Sequence, residues 1–340
     1  MSCRRKKRQP HVLILRFSAL GDVAMTLPVV YSVARAYPDV RFTVSTREFF
    51  ARLFINPPAN VDVIGFDLKK RYHGVAGTIR LCRQLARLKP TAVADLHNVF
   101  RTWVVDAFFR LRGIRTVMVD KMRSERRRML RDKTEQTPFV DRYRDVFSSL
   151  GYPAEMSFRS VFDGGNAEAP FDVLHPAVGI APFARYYNKT YPPELMRQVA
   201  ETLCRKGIHV YLFGARGSEA DELRQWAGSI RGCESVAGKY SLPQEMALMS
   251  QMNLMVSMDS ANQHLAALTG VRVLTIWGST TPACGFTAFG HTAADGICMN
   301  LGCQPCTVAG SPTCPRGHLD CLCMITPQTV ASQIEKIIKQ

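Results

Sequence analysis

The chain reads as an α/β protein of two doubly wound, Rossmann-like domains facing a cleft, and three observations predict this. Short Val- and Ile-rich runs alternate with amphipathic stretches through both halves, the pattern of parallel strands joined by crossover helices. The 340 residues exceed what one ordinary core organises, so two domains are expected. A polar, turn-forming stretch, DGGNAEAP at 163–170, interrupts the alternation and sets the boundary. Domain one is then 1–165 and domain two 166–340.

In the first half the predicted strands are HVLILRF (11–17), RFTVST (41–46), VDVIGF (61–66), TAVADL (91–96) and TVMVD (116–120), apolar enough to be buried on both faces. The first feeds a helical run from Val23 to Arg35. Another run, 78–88, places Ile79, Leu81, Cys82, Leu85 and Leu88 near a helical period, and Pro90 ends it. In the second half, strands AVGIAP (177–182), IHVYLFG (208–214), LMVSMD (254–259) and VRVLTIWG (271–278) alternate with helices near 193–206, 218–228, 243–252 and 260–269. A closing helix, 326–339, starts with Thr326 as N-cap and Pro327 in the first helical position, where each is favoured.

Hydrophobic residues make up 46% and charged residues 21%, the balance of a globular rather than a disordered chain. No apolar run approaches the roughly 20 residues that span a bilayer, and the N-terminus lacks a signal-peptide cleavage site. The net charge of +16 is lopsided: Lys and Arg outnumber Asp and Glu 31 to 15 in 1–165 but balance 13 to 13 in 166–340. Two clusters dominate, Arg4–Arg8 and the stretch from Lys121 to Lys133. Such an excess calls for an anionic partner: nucleic acid, an anionic leaflet or a phosphorylated substrate. The non-enzymatic alternative is a nucleic-acid-binding module, against which stands the lack of a helix-turn-helix, a paired-His finger or an aromatic RNA-binding signature.

Ligands of doubly wound sheets bind beyond the carboxyl ends of the strands, so the loops there hold the candidates. Ser18-Ala19-Leu20-Gly21-Asp22 follows the first strand, and Asp22 either caps the next helix or takes a proton from a bound hydroxyl. Arg185 and Lys189 share the loop after strand 177–182, as surface cations or as a diphosphate clamp. Glu219 opens a helix that Ser218 can cap; it either complements the helix dipole or binds ribose hydroxyls. In Asp259-Ser260-Ala261-Asn262-Gln263-His264 a strand runs directly into a helix whose free N–H groups can hold a phosphate, with Asp259 or Ser260 as cap. His264 is either packed or turned to the ligand.

Together these segments resemble glycosyltransferase family 9, the bacterial heptosyltransferases. RFSALGDVAMTLP is similar to its opening Gly-Asp and Thr-Leu-Pro motif, Lys189-Thr190-Tyr191-Pro192 to its Lys-x-Trp-Pro, and Asp259-Ser260-Ala261 with His264 to its Asp-Thr-Gly-x-x-His. The resemblance implies a GT-B fold and an inverting, single-displacement transfer from a nucleotide-diphosphate sugar such as ADP-heptose, without metal or cofactor. It implies that Asp22 is the base, that Arg185, Lys189, Asp259, Ser260, Ala261 and His264 serve the donor, that Glu219 takes the ribose and that Tyr240 lies near the adenine. Acceptor contacts fall to His97, Asn98 and Arg101, where Asp95-Leu96-His97-Asn98 stands in place of an Asp-x-Gln-Gly pattern, and Ala261 replaces the usual Gly. The implied acceptor is an anionic glycolipid of the lipopolysaccharide inner core, which makes nucleic acid a poorer partner for the basic half. The enzyme is then expected in the cytoplasm, peripheral to the inner membrane. A different nucleotide sugar and glycan acceptor fit the same motifs.

Six of eleven cysteines fall within 298–323. Cys303, Cys306, Cys314 and Cys321 have a spacing that suits structural zinc, and a cytoplasmic setting disfavours disulfides. The family resemblance implies instead a structural loop beside the nucleotide-sugar domain.

Overall fold

The structure is a computed structural model that describes residues 9–165 and 167–340; the basic cluster Arg4–Arg8 lies outside them. By internal packing the chain divides into one unit running up to Lys121 and including Val140–Phe158, and another formed by Met122–Phe139 and Arg159–Gln340.

The first unit is built on a five-stranded parallel sheet: β1 (His11–Leu15), β2 (Arg41–Arg47), β3 (Val61–Phe66), β4 (Ala92–Asp95) and β5 (Arg115–Met118), in the order β3-β2-β1-β4-β5. All of β1 is buried, as its unbroken apolar run requires. The expected helical run from Val23 to Arg35 is two helices, Leu20–Ala24 and Leu27–Ala36. Pro28, near the start of the second, cannot donate to the turn before it, so the chain restarts there. Helix Gly74–Ala86 begins four residues earlier than its periodicity suggests and ends before Pro90.

The second unit carries a six-stranded parallel sheet of β6 (Ala177–Ala181), β7 (His209–Leu212), β8 (Cys233–Ser235), β9 (Leu254–Met258), β10 (Val273–Ile276) and β11 (Gly296–Ile297), ordered β11-β10-β9-β6-β7-β8. The two outermost strands, β8 and β11, are too short to show an apolar run in the sequence. Helix Pro193–Arg205 and the closing helix Pro327–Ile338 supply much of this unit's core, through Met196, Val199, Leu203, Val330 and Ile334. Thr326 caps the closing helix, its side chain accepting from Thr329 N–H.

The basic stretch after Lys121 forms helix Arg123–Asp132 and packs with the second unit. Part of its charge is structural. Arg126 lies 5.4 Å from the ring of Phe139 and 5.5 Å from that of Phe286, which stack on each other at 4.7 Å, and Lys133 donates to the carbonyl of Pro305. The positive excess of 1–165 is therefore shared between both units.

Candidate active site

In each sheet the strand order reverses once, and at such a switch point the two flanking loops diverge and leave a crevice. In the first unit the reversal lies between β1 and β4, where Leu15 pairs with Asp95. The loops that follow are the Ser18–Asp22 and His97–Asn98 segments. In the second unit it lies between β6 and β9, where Ala181 pairs with Ser257. The loops that follow carry Lys189 and Asp259–Ser260. Asp22, His97, Asn98, Lys189, Asp259 and Ser260 thus follow the strands at the two switch points, whereas Glu219 follows β7 and Tyr240 follows β8.

In the first unit, Asp22 lies in the first turn of helix Leu20–Ala24, where its Oδ2 accepts from the N–H of Ala19 at 3.0 Å. The same oxygen meets Nη2 of Arg16 at 2.9 Å. Arg16 is buried at 3% exposure, donates through Nη1 to the carbonyl of Leu96 at 2.5 Å, and lies 5.7 Å from the ring of Tyr143. A buried guanidinium paired with this carboxylate fixes its direction. The sequence reading passed over Arg16, whose signal is a cation ending an otherwise apolar strand.

His97 is buried, and its Nε2 lies 3.0 Å from the hydroxyl of Ser18, joining the two loops. Burial, then the cations of Arg16 and Lys121, drive its pKa from 6.5 to about 3, so the ring is neutral. Asn98 adopts φ 48°, the left-handed region that glycine prefers and asparagine tolerates. This accounts for Asn in the place of the family pattern's Gly. Its side chain serves the loop: Nδ2 donates to Val119 O at 2.7 Å, and Oδ1 accepts from Trp103 Nε1 at 2.7 Å. Asp95 Oδ1 accepts the backbone N–H of both His97 and Asn98. Arg101 has its pKa lowered by burial and by Arg47. Arg47, at the end of β2, was not among the sequence candidates.

In the second unit Ser260 is the N-cap of helix Ala261–Leu268, its Oγ accepting from Asn262 N at 3.3 Å. Asp259 turns inward instead. Its Oδ2 meets Lys189 Nζ at 2.7 Å and accepts from Thr280 Oγ1 at 2.5 Å, while Oδ1 accepts from Gln263 Nε2 at 3.0 Å. The carboxylate is 4% exposed and fully engaged, so it holds Lys189 in place. Thr280, from the polar turn 278–282 after β10, and Gln263, from the helix that Ser260 caps, complete this network. Ala261 is an ordinary helical residue, so its backbone does not demand glycine. His264 is buried within the same helix.

Arg185 is exposed and stacks on Tyr186, with 5.3 Å from its guanidinium to the ring. Glu219 accepts the N–H of Ala215 at 2.8 Å, which shapes the turn after β7; the cap of its helix is Gly217 at φ 89°, rather than the expected Ser218. Tyr240 follows β8, its ring 6.1 Å from that of Phe171. A cavity of about 820 Å³, between helices Pro193–Arg205 and Ser218–Ser229, contains none of these candidates except the neighbours Glu194 and Ser218 of their loops.

Among the described residues no group of three or more His, Cys, Asp or Glu is placed to hold a metal ion. Cys303, Cys306, Cys314 and Cys321 are near enough to sense one another, and burial followed by these neighbours pushes the Cys321 thiol up to about 12. The loop is instead tied by hydrogen bonds: Gln304 Nε2 to Gly278 O at 2.7 Å, Cys306 N to Ser279 O at 3.0 Å, and Ser311 N to Asn188 Oδ1 at 2.9 Å.

Comparison with known proteins gives a consistent result. Residues 78–315, more than half of the chain, match the profile of glycosyltransferase family 9 (heptosyltransferase). Lipopolysaccharide heptosyltransferase 1 of Pseudomonas aeruginosa is 25% identical, over 96% of this chain and 98% of that protein. Among solved structures, the Escherichia coli heptosyltransferase WaaC with ADP superposes with a TM-score of 0.70 at 20% identity, covering 96% of this chain and 99% of that one. A family 9 glycosyltransferase from Veillonella parvula gives 0.73 at 18%, covering 98% of each. At these identities the structural likeness speaks for the fold, which is the two-domain GT-B arrangement of parallel-sheet units.

Proposed function

The chain belongs to glycosyltransferase family 9, and from that premise we propose that it moves a heptose from ADP-heptose to a lipopolysaccharide inner-core acceptor with inversion at the anomeric carbon. The observation that carries the reading is the pairing of chemistries at the two switch points: a carboxylate clamped by Arg16 in one unit, and a lysine clamped beside a helix N-terminus in the other. Asp22 takes the proton from the acceptor hydroxyl as that oxygen attacks, and the nucleoside diphosphate leaves. Lys189, with Arg185 and the amides that follow Ser260, neutralises the charge growing on the diphosphate. Asp259 acts through Lys189, Glu219 takes the ribose and Tyr240 lies beside the adenine. The arginines at 47 and 101 and the neutral His97 receive the anionic acceptor.

The substrate carries lipid, so the enzyme works at the cytoplasmic face of the inner membrane. The basic character of the first half favours such a surface, and among the described residues no helix is long and apolar enough to cross it. The replacement of the family's Gln-Gly by His97-Asn98 favours a second reading, in which donor chemistry is kept and another glycan is the acceptor.

A thermal-shift screen of nucleotide sugars, followed by transfer assays on delipidated inner-core oligosaccharide, tests this. A selective shift with ADP-heptose and transfer to that acceptor are expected. A shift with another nucleotide sugar alone would remove the donor assignment, and salt-sensitive DNA binding with no nucleotide-sugar response would remove the enzyme reading.

A further inference from the structure

Helices Gly74–Ala86 and Phe100–Arg110 of the first unit pack against each other. What they and the following turn leave exposed is unusual for a folded surface. Val75 is 74% exposed, Phe100 73% and Leu111 88%, with Ile79 at 44% and Trp103 at 43%. Phe100 and Trp103 contact edge to face, at 6.4 Å between ring centroids. Large apolar side chains gathered on adjoining helices mark an interaction surface rather than scattered exposure.

Along this part of the chain the charges are mostly of one sign. From Lys69 to Val119 the chain contains eleven Lys and Arg and two acids, Asp95 and Asp106. Both acids are buried, at 0% and 2% exposure, so this stretch presents cations alone. Arg80, Arg83 and Arg87 line the exposed side of one helix, and Arg110 and Arg112 end the other.

We propose that this face docks on an anionic lipid bilayer, with Phe100, Trp103 and Leu111 entering the interface and the arginines meeting lipid phosphates. Interfacial aromatics flanked by basic residues suit the headgroup region, where ring and cation both find partners. A nucleic acid makes poorer use of the surface, because Val75, Ile79 and Leu111 offer neither stacking nor hydrogen bonds. The face also adjoins the acceptor loop: the Trp103 indole donates to Asn98, two residues before Phe100. Resting on the reading of the acceptor as a glycolipid, the bilayer is docked where that glycolipid would be handed to His97 and Arg101.

The test is co-sedimentation of the full chain with vesicles of phosphatidylcholine containing phosphatidylglycerol, against phosphatidylcholine alone. Binding only to the anionic vesicles, weakened by salt, is expected. The triple variant Val75→Ser, Phe100→Ser, Leu111→Ser should lower vesicle affinity by about tenfold or more. Arg83→Glu with Arg87→Glu should do the same. All three serine positions are solvent-exposed, so an unchanged melting temperature and unchanged turnover on a delipidated, water-soluble acceptor accompany the loss. Wild-type vesicle affinity in the serine variant overturns the proposal, as does binding that disappears only when Arg4–Arg8 are replaced. Capture of an acidic polymer or protein in place of vesicles, through the same residues, overturns it too. If the wild-type protein transfers no sugar to the soluble acceptor while vesicle binding responds to both variants, the assignment of function falls and the docking face stands.

Discussion

Asp22 and His97 show how a few buried neighbours set the chemistry of a residue. Arg16 orients the Asp22 carboxylate at 2.9 Å, so Asp22→Asn keeps the shape and loses the base. Transfer should fall by at least ~100-fold with nucleotide binding unchanged; near wild-type turnover would remove Asp22 from that role. His97 is held neutral, with its pKa moved from 6.5 to about 3, chiefly by burial. Below 6.5 the unfolded chain takes up a proton that the folded chain refuses, so this residue's contribution makes stability fall as pH drops from 6.5 towards 3. Urea denaturation across that range should show a steeper fall for the wild type than for His97→Gln, and parallel curves would contradict the burial argument.

At the scale of elements, β4 and helix Phe100–Arg110 are joined by two acids. Asp95 holds the acceptor loop through the N–H groups of His97 and Asn98, and its side chain neighbours that of Asp106. Neither buried oxygen of Asp106 has an ordinary donor. Burial and then Asp95 raise the Asp106 pKa from 3.8 to about 8, with Arg110 opposing, so Asp106 keeps a proton that it can share in a hydrogen bond with Asp95. The folded state keeps this proton where the unfolded state has lost it, so stability falls as pH rises from about 4 to 8. Asp106→Asn supplies a permanent donor and should flatten that slope while keeping the fold. Asp106→Ala takes the carboxyl partner from Asp95, which keeps only its two loop N–H donors, and should cost about 2 kcal/mol. A slope in Asp106→Asn equal to that of the wild type would show that no proton is shared.

At the scale of the whole molecule, two separately cored units mean that nucleotide bound to one stabilises that one first. At ADP concentrations about 100 times the dissociation constant, the second unit should gain about 2.7 kcal/mol, and Lys189→Met should abolish most of that gain. Hydrogen exchange resolves the effect by unit, and equal protection of both would argue against a nucleotide site confined to the second. Much of this architecture is legible in one dimension. Buried parallel strands must be continuous apolar runs, so β1, β6 and β9 stand out, whereas β8 and β11 are too short to do so. Asp22, Lys189 and Ser260 could be found because they lie in the connections that follow such runs. Helix Arg123–Asp132 shows the limit: its charge is plain in the sequence, but the unit it packs with depends on Phe139 and Phe286. The sequence by itself determined the doubly wound class and the loops that carry chemistry, because periodicity and turn residues are local. Only the tertiary structure decided the strand order, and with it the switch points that pair Ser18 with His97 and Lys189 with Asp259. Such pairings join residues far apart in the chain, and what selects them is burial, a property of the packed sheet that no local pattern encodes.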